Sequence, residues 1–355
     1  MTQDTSPATR TGDSRHAFDV ERLAEWMRQA VGPVGAPLRV EQFSGGQSNP
    51  TFLVEYGAER CVLRRKPPGL LLPSAHAVER EYRVMHALAG TPVPVPRMLA
   101  LCEDPAVIGT PFYLMQHVAG RVFWNPALPE LPRAERSLVH DEVNRVIAAL
   151  HSVDPLAVGL AGFGKPDQYI ARQVARWSKQ YQASATESIE AMDRLIEWLP
   201  RHVPAGDQTA IVHGDFRLDN LIFDPHEPRV LAVIDWELAT LGHPLVDFAY
   251  HCMTWRIPAG VFRGLADLDL AALGVPGEAE YVQSYVRRTG CAPVPAADWE
   301  YYMAYNLFRL AAIAQGITAR ALQGNASSAR ALEVGRSTRP LADLAWRHVE
   351  RRGRA

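Results

Sequence analysis

Apolar residues recur along this chain with two periods, and the switch between them divides it. Over 18–31 (FDVERLAEWMRQAV), Val20, Leu23, Met27 and Val31 fall at helical spacing. The period then shortens, and LRVEQF (38–43), TFLVEYG (51–57) and RCVLR (60–64) read as strands. Residues 74–89 return to a helical stripe of Val78, Glu81, Met85 and Leu88. A proline-rich connector, TPVPVPR (91–97), leads into two further apolar segments, MLALCED and TPFYLMQHV. Beyond residue 117 the spacing predicts helices over 134–151, 166–183, 186–199, 277–288 and 298–323. A short β-rich island, IVHGD, NLIFD and VLAVIDW, interrupts them at 211–236.

The expected fold is therefore α+β with two lobes and a cleft between them: a small β-rich lobe over 18–116 and a larger, mainly helical one over 117–355. Residues 1–17 are polar and read as a disordered tail. The chain has 355 residues, 47% of them hydrophobic and 21% charged, enough to bury a sizeable core. Its formal charge of −2 gives no electrostatic footprint for nucleic acid. No run of 18 apolar residues and no secretory h-region is present, so neither a membrane span nor export is expected. The four cysteines are scattered without a CxxC pair and read as reduced thiols of a cytoplasmic protein.

Candidate chemistry concentrates in HGDFRLDN (213–220) and VIDWE (233–237). Asp215, Asn220 and Asp235 stand at the ends of short apolar strands, a rigid setting for side chains that act in a cleft. Hard oxygen donors of this kind suit Mg²⁺, and a neighbouring carboxylate can orient a hydroxyl and take its proton. A plain turn at HGD and a helix cap at Asp235 would explain each piece alone, but not their arrival together and in order. SGGQSN (44–49) lies between the first two strands, and its adjacent glycines let backbone N–H groups approach phosphates. Any hairpin could carry such a turn, and it is not a full GxGxxG; its place at the start of the small lobe favours Ser44, Gly45, Gly46, Ser48 and Asn49 as nucleotide contacts.

These motifs resemble the aminoglycoside phosphotransferase family of the protein-kinase-like fold. The kinase catalytic loop H-R-D-L-x-x-x-N is matched by H-G-D-F-R-L-D-N, and the D-F-G position by I-D-W-E. The resemblance implies ATP and Mg²⁺ as cofactors. By it, Asp215 is the catalytic base or hydroxyl-positioning residue, Asn220 and Asp235 hold the metal, and Arg217 contacts the transferred phosphate. Strand alternation and the resemblance together place Arg64 of VLRRK where kinases carry a phosphate-binding lysine, with Glu81 as its partner. Glu79, off the stripe, is expected to be solvated. The resemblance also makes YLMQHV (113–118) the hinge, with backbone groups around Gln116 and Val118 on the purine. His213 and Asp247 are expected to brace the catalytic loop.

The acceptor is expected to be a small-molecule hydroxyl, and two readings stay open. An aminoglycoside or other cationic antibiotic requires an acidic pocket. Yet KPDQYIARQVARWSKQYQ (165–182) carries four basic residues against one acid, with Arg172, Arg176 and Lys179 on one stripe and Trp177 on the apolar one. An ordinary solvated face would look the same. The stretches VLRRKPPGLLLPSAHAVEREYRV and RQVARWSKQY further resemble the kinase-like domain fused to some acyl-CoA dehydrogenases and its free-standing bacterial relatives. That likeness implies a hydroxyacyl-CoA acceptor, with Arg172, Arg176 and Trp177 as candidate contacts. A nucleotide-binding regulatory module without turnover is the competing class. The oligomeric state leaves no mark in the sequence.

Overall fold

The computed structural model describes residues 9–10, 17–33, 37–43, 49–69, 76–206, 208–323 and 331–353. The chain forms two compact units, the first from residues 1–122 and 219–239, the second from 123–218 and 240–355. The division is therefore not one cut at 116/117: the second half of the β-rich island belongs with the first unit. Backbone bonds explain this. Arg121 and Phe223 exchange two N–H···O bonds of 2.8 Å, and Val233 N–H donates to the Pro94 carbonyl at 2.9 Å. At Gly120 the chains come so close that a Cβ would stand 2.2 Å from the Phe223 carbonyl oxygen.

The first unit is built on an antiparallel six-stranded sheet. Its strands are β1 (Thr9–Arg10), β2 (Arg39–Phe43), β3 (Thr51–Tyr56), β4 (Glu59–Arg65), β5 (Met98–Cys102) and β6 (Phe112–Gln116), in the order β1-β2-β3-β4-β6-β5. β1 is a departure from the expected tail: Thr9 and Arg10 pair with Phe43 and Gln42. Alternation sorts the sheet's two faces. Phe52, Val54, Cys61, Leu63, Phe112 and Leu114 pack with Leu23 and Met27 of helix α1 (Val20–Ala30). Asp19 caps α1 by accepting from the Glu21 and Arg22 N–H groups. Helix α2 (Val78–Leu88) buries Val78, Glu81, Met85 and Leu88, the stripe read from the sequence, and Val84 besides. It begins later than residue 74 because His76, at φ 58°, is in the left-handed region.

The second unit is helical. Its helices are α3 (Arg133–His151), α4 (Tyr169–Ser184), α5 (Glu190–Trp198), α6 (Pro244–Cys252), α7 (Leu270–Leu273), α8 (Glu278–Thr289), α9 (Ala296–Leu322), α10 (Ala331–Gly335) and α11 (Thr338–Arg352). Helices α4, α6, α10 and α11 pack on α9, which is buried over most of its length, and α3 packs on α8. Strand β7 (Ala210–Val212) pairs with β10 (Thr240–Gly242) in this unit, whereas β8 (Leu221–Phe223) pairs with β9 (Val230–Val233) in the first. The four cysteines are unpaired, and Cys61, Cys102 and Cys252 are buried. Among the described residues, no helix is long and apolar enough to cross a membrane.

Candidate active site

In the first unit the site is organised around one arginine. Arg64 sits on β4 directly opposite Thr51 of β3 and Tyr113 of β6. Alternation turns it away from the Cys61–Leu63 face, towards α2. There its Nε lies 2.9 Å from Glu81 Oε2, the pairing expected from the α2 stripe. Glu81 is only 1% exposed. Its Oε1 accepts from Asn49 Nδ2 at 2.7 Å and its Oε2 from the Tyr113 hydroxyl at 3.1 Å. Burial pushes the Glu81 carboxyl above its ordinary range, and the Arg64 charge pulls the other way. Burial likewise raises the Tyr113 phenol, reinforced by the Glu81 charge. Glu79 is not simply solvated: Lys66 Nζ donates to its Oε1 at 3.0 Å.

Strand pairing brings the backbone segments that carry Asn220 and Asp235 together. Leu221 of β8 is opposite Val233 of β9, and Ile234 N–H donates to the Asn220 carbonyl at 2.9 Å. Asn220, the residue before β8, is thereby set beside Ile234, the residue after β9, and Asp235 follows next in the chain. Asp235 adopts φ 66° and ψ 55°, a left-handed backbone costly for a residue with a Cβ. Its Oδ1 lies 2.6 Å from Arg64 Nη2, and Glu237 Oε2 lies 3.7 Å from the same nitrogen. The donor chemistry fits Mg²⁺: an amide and a carboxylate supply hard oxygens from paired strand ends, and a phosphate-bound Mg²⁺ needs only one or two protein ligands.

Two other expectations about this unit meet different fates. Ser44, Gly45, Gly46 and Ser48 lie outside the described residues, so of that turn only Asn49 is placed. Gln116 ends β6, and its N–H donates to the Arg97 carbonyl at 2.8 Å. A purine at this segment would therefore use other backbone groups of 116–118, such as those of Val118.

The second unit holds Asp215 and Arg217. Asp215 Oδ1 accepts from the Tyr250 hydroxyl at 2.5 Å and Oδ2 from Arg217 Nη2 at 2.9 Å. Asp247 braces the loop before it, accepting from the His213 and Gly214 N–H groups at 2.8 Å each. His151 Nε2 lies 3.2 Å from the same carboxylate. Burial would raise the Asp247 carboxyl, but its bonds and charge contacts with His151 and His213 hold it below the ordinary range. His213 is buried, and its Nδ1 accepts from the Asp215 N–H at 3.2 Å, a bracing part. Arg309, buried on α9, donates to the Gly214 carbonyl at 2.6 Å and lies 4.8 Å from the Tyr250 ring centre.

On α4, Val174, Trp177 and Tyr181 are buried and Arg176 is exposed, as its stripes predict. Arg172 is half-buried and donates to the Lys165 carbonyl. The Trp177 ring has Arg176 5.5 Å and Arg309 5.4 Å from its centre, so the residue next to the Asp215 loop also touches the basic helix. Tyr250 and Arg309 were not singled out from sequence. Tyr250 could have been: it follows Asp247 by three residues and so shares its face of α6.

The fold is that of a kinase-like phosphotransferase. The sequence matches the phosphotransferase enzyme family over residues 39–303, and the chain belongs to that family, an enzyme of the small-molecule kinase class. It is 46% identical over 350 residues, 98% of its length, to acyl-CoA dehydrogenase family member 10 of Mus musculus. It spans only 33% of that protein. A crystal structure from Ralstonia eutropha, provisionally described as an aminoglycoside phosphotransferase, is 55% identical and superposes with a TM-score of 0.87. That match covers 94% of this chain and 99% of the other. The ternary complex of aminoglycoside phosphotransferase APH(4)-Ia with ADP and hygromycin B shares the fold, at 16% identity and a TM-score of 0.59 over 92% of this chain and 98% of that one.

Proposed function

We propose that this chain transfers the γ-phosphoryl group of ATP, with Mg²⁺, to the hydroxyl of an anionic small molecule, and that the acceptor is a hydroxyacyl-CoA ester. The observation that carries the reading is the fixed Asp215 carboxylate, braced through its loop by Asp247 and held at both oxygens by Tyr250 and Arg217. A base that is already oriented needs little reorganisation at the moment of reaction.

In this reading the acceptor oxygen attacks the γ-phosphorus as the bond to the ADP oxygen breaks, and the hydroxyl proton passes to Asp215. Arg217 moves from the Asp215 carboxylate towards the transferred group and offsets its charge. Asn220 and Asp235 hold Mg²⁺, which when bound neutralises phosphate charge. Arg64, fixed by Glu81, contacts the nucleotide phosphates, with Asn49 beside them, and the 116–118 segment takes the purine edge. Arg172, Arg176 and Trp177 form the acceptor wall, its cations suited to the phosphates of a CoA ester. The relatives named as acyl-CoA dehydrogenases support an acyl-CoA acceptor, since this chain corresponds to one portion of such proteins. The ADP complex of the related kinase supports ATP as donor.

The test is ADP release from ATP and Mg²⁺ across a panel of hydroxyacyl-CoA esters and aminoglycosides, with wild type and Asp215→Ala. Turnover with a CoA ester should fall by roughly 10²–10⁴-fold in the variant, with nucleotide affinity nearly intact. Nucleotide binding without turnover on any acceptor would identify a regulatory module instead.

A further inference from the structure

One face of α6 holds three consecutive residues of the catalytic loop. Asp247 takes the N–H groups of His213 and Gly214, and Tyr250, one turn on, donates its hydroxyl to Asp215 Oδ1 at 2.5 Å. From this geometry we infer that Tyr250 is a positioning residue for Asp215: it engages Oδ1 and so fixes the orientation in which the carboxylate meets the acceptor hydroxyl. This rests on the proposed role of Asp215.

Three observations support the assignment. First, the phenol keeps its proton, because burial raises it and the Asp215 charge raises it further, so it remains a donor across the working pH range. Second, its ring is held. Arg309 lies 4.8 Å from the ring centre while its Nη2 bonds the Gly214 carbonyl at 2.6 Å, so one guanidinium fixes both the phenol and the loop. Third, Tyr250 and Arg217, which both donate to Asp215, differ in kind. Tyr250 is neutral, buried and on a helix packed against α9, whereas the Arg217 side chain is 25% exposed and comes from the loop itself. When Arg217 turns to the phosphoryl group, Tyr250 stays in place as a donor to Oδ1.

A residue that orients the base acts on the rate of the chemical step and not on acceptor binding. The test is Tyr250→Phe, which keeps the ring under Arg309 and removes only the hydroxyl. ADP release is followed with a hydroxyacyl-CoA ester and, separately, with water as acceptor, alongside thermal melting. A fall in kcat of up to about 100-fold, the cost of a misplaced reacting group, is expected in both assays, with the acceptor and ATP KM within twofold and the melting transition in place. An unchanged kcat, a loss confined to acceptor KM, or a loss that follows unfolding would each overturn the inference. Asp215→Ala separates it from the reading it rests on. If Asp215→Ala abolishes turnover and Tyr250→Phe does not, only the role of Tyr250 fails. If Asp215→Ala retains turnover, the assignment of the base fails first.

Discussion

Arg64 Nη2 lies 2.6 Å from Asp235 Oδ1, so the cation proposed to bind phosphate rests on the carboxylate proposed to bind metal. A dication at Asp235 competes with that guanidinium for the same oxygen. In Asp235→Asn, which loses the anionic ligand, the Mg²⁺ concentration for half-maximal nucleotide binding should rise by at least about tenfold, since even supporting groups around a metal are worth 10–100-fold. Excess Mg²⁺ should partly restore turnover. Overlaid Mg²⁺ titrations of mutant and wild type would make Asp235 a structural residue.

Glu81 is the buried anchor of Arg64. Glu81→Leu leaves the cation with Asp235 and Glu237 alone and strands the donors on Asn49 and Tyr113. Removing one partner of a buried pair costs about 3–5 kcal/mol; the remaining carboxylates place this variant at the lower end. Urea unfolding measures the loss, and Glu81→Gln, which can still accept hydrogen bonds, should recover part of it.

Charge reversal at Arg172 and Arg176 tests the acceptor. The double variant to Glu should raise the KM for a CoA ester and leave that for ATP nearly unchanged. A charge-assisted hydrogen bond to a phosphate is worth about 1.5–3 kcal/mol when well formed. Because Arg176 is exposed, added salt should shrink the effect. A cationic aminoglycoside would instead bind better to the variant, and unchanged CoA-ester kinetics would sink the anionic acceptor.

Two buried histidines contribute to the response to acid. Burial pushes His140 down to about 4 and His251 down to about 3. Both stay neutral in the fold but gain a proton near pH 6.5 once unfolded, so their contribution is present above that pH. It is lost as pH falls from about 6.5 towards the folded values, at up to about 1.4 kcal/mol per pH unit for each group. Unfolding free energies should show that slope between pH 6 and 4.5, and His140→Gln should flatten it. Equal slopes in the two proteins would remove His140 from the account.

The first unit was largely legible because alternation and helical stripes are local signals. Arg64 and Glu81 could be paired from them, since each lies on a face that the pattern defines. The second half of the β-rich island was misplaced because backbone bonds between Arg121 and Phe223, or Val233 and Pro94, leave no mark on side-chain pattern. Helix α6 was unread for a different reason: Leu245 to Cys252 are all buried, so it has no polar face to reveal a period. The site followed the same division. Loop carboxylates carry recognisable motifs, whereas Tyr250 and Arg309 act from helices whose sequences look like core.

The chain passes from one unit to the other at 122/123, 218/219 and 239/240. The unit that carries Arg64 is consequently not a contiguous piece of polypeptide. A fragment ending at 122 would keep the six-stranded sheet yet lack Asn220 and Asp235. A fragment starting at 123 would carry the β8–β9 hairpin without its partners at Pro94 and Arg121. Neither half can be genetically excised with its chemistry complete, so evolution, like any engineer dividing this protein, must inherit both units together.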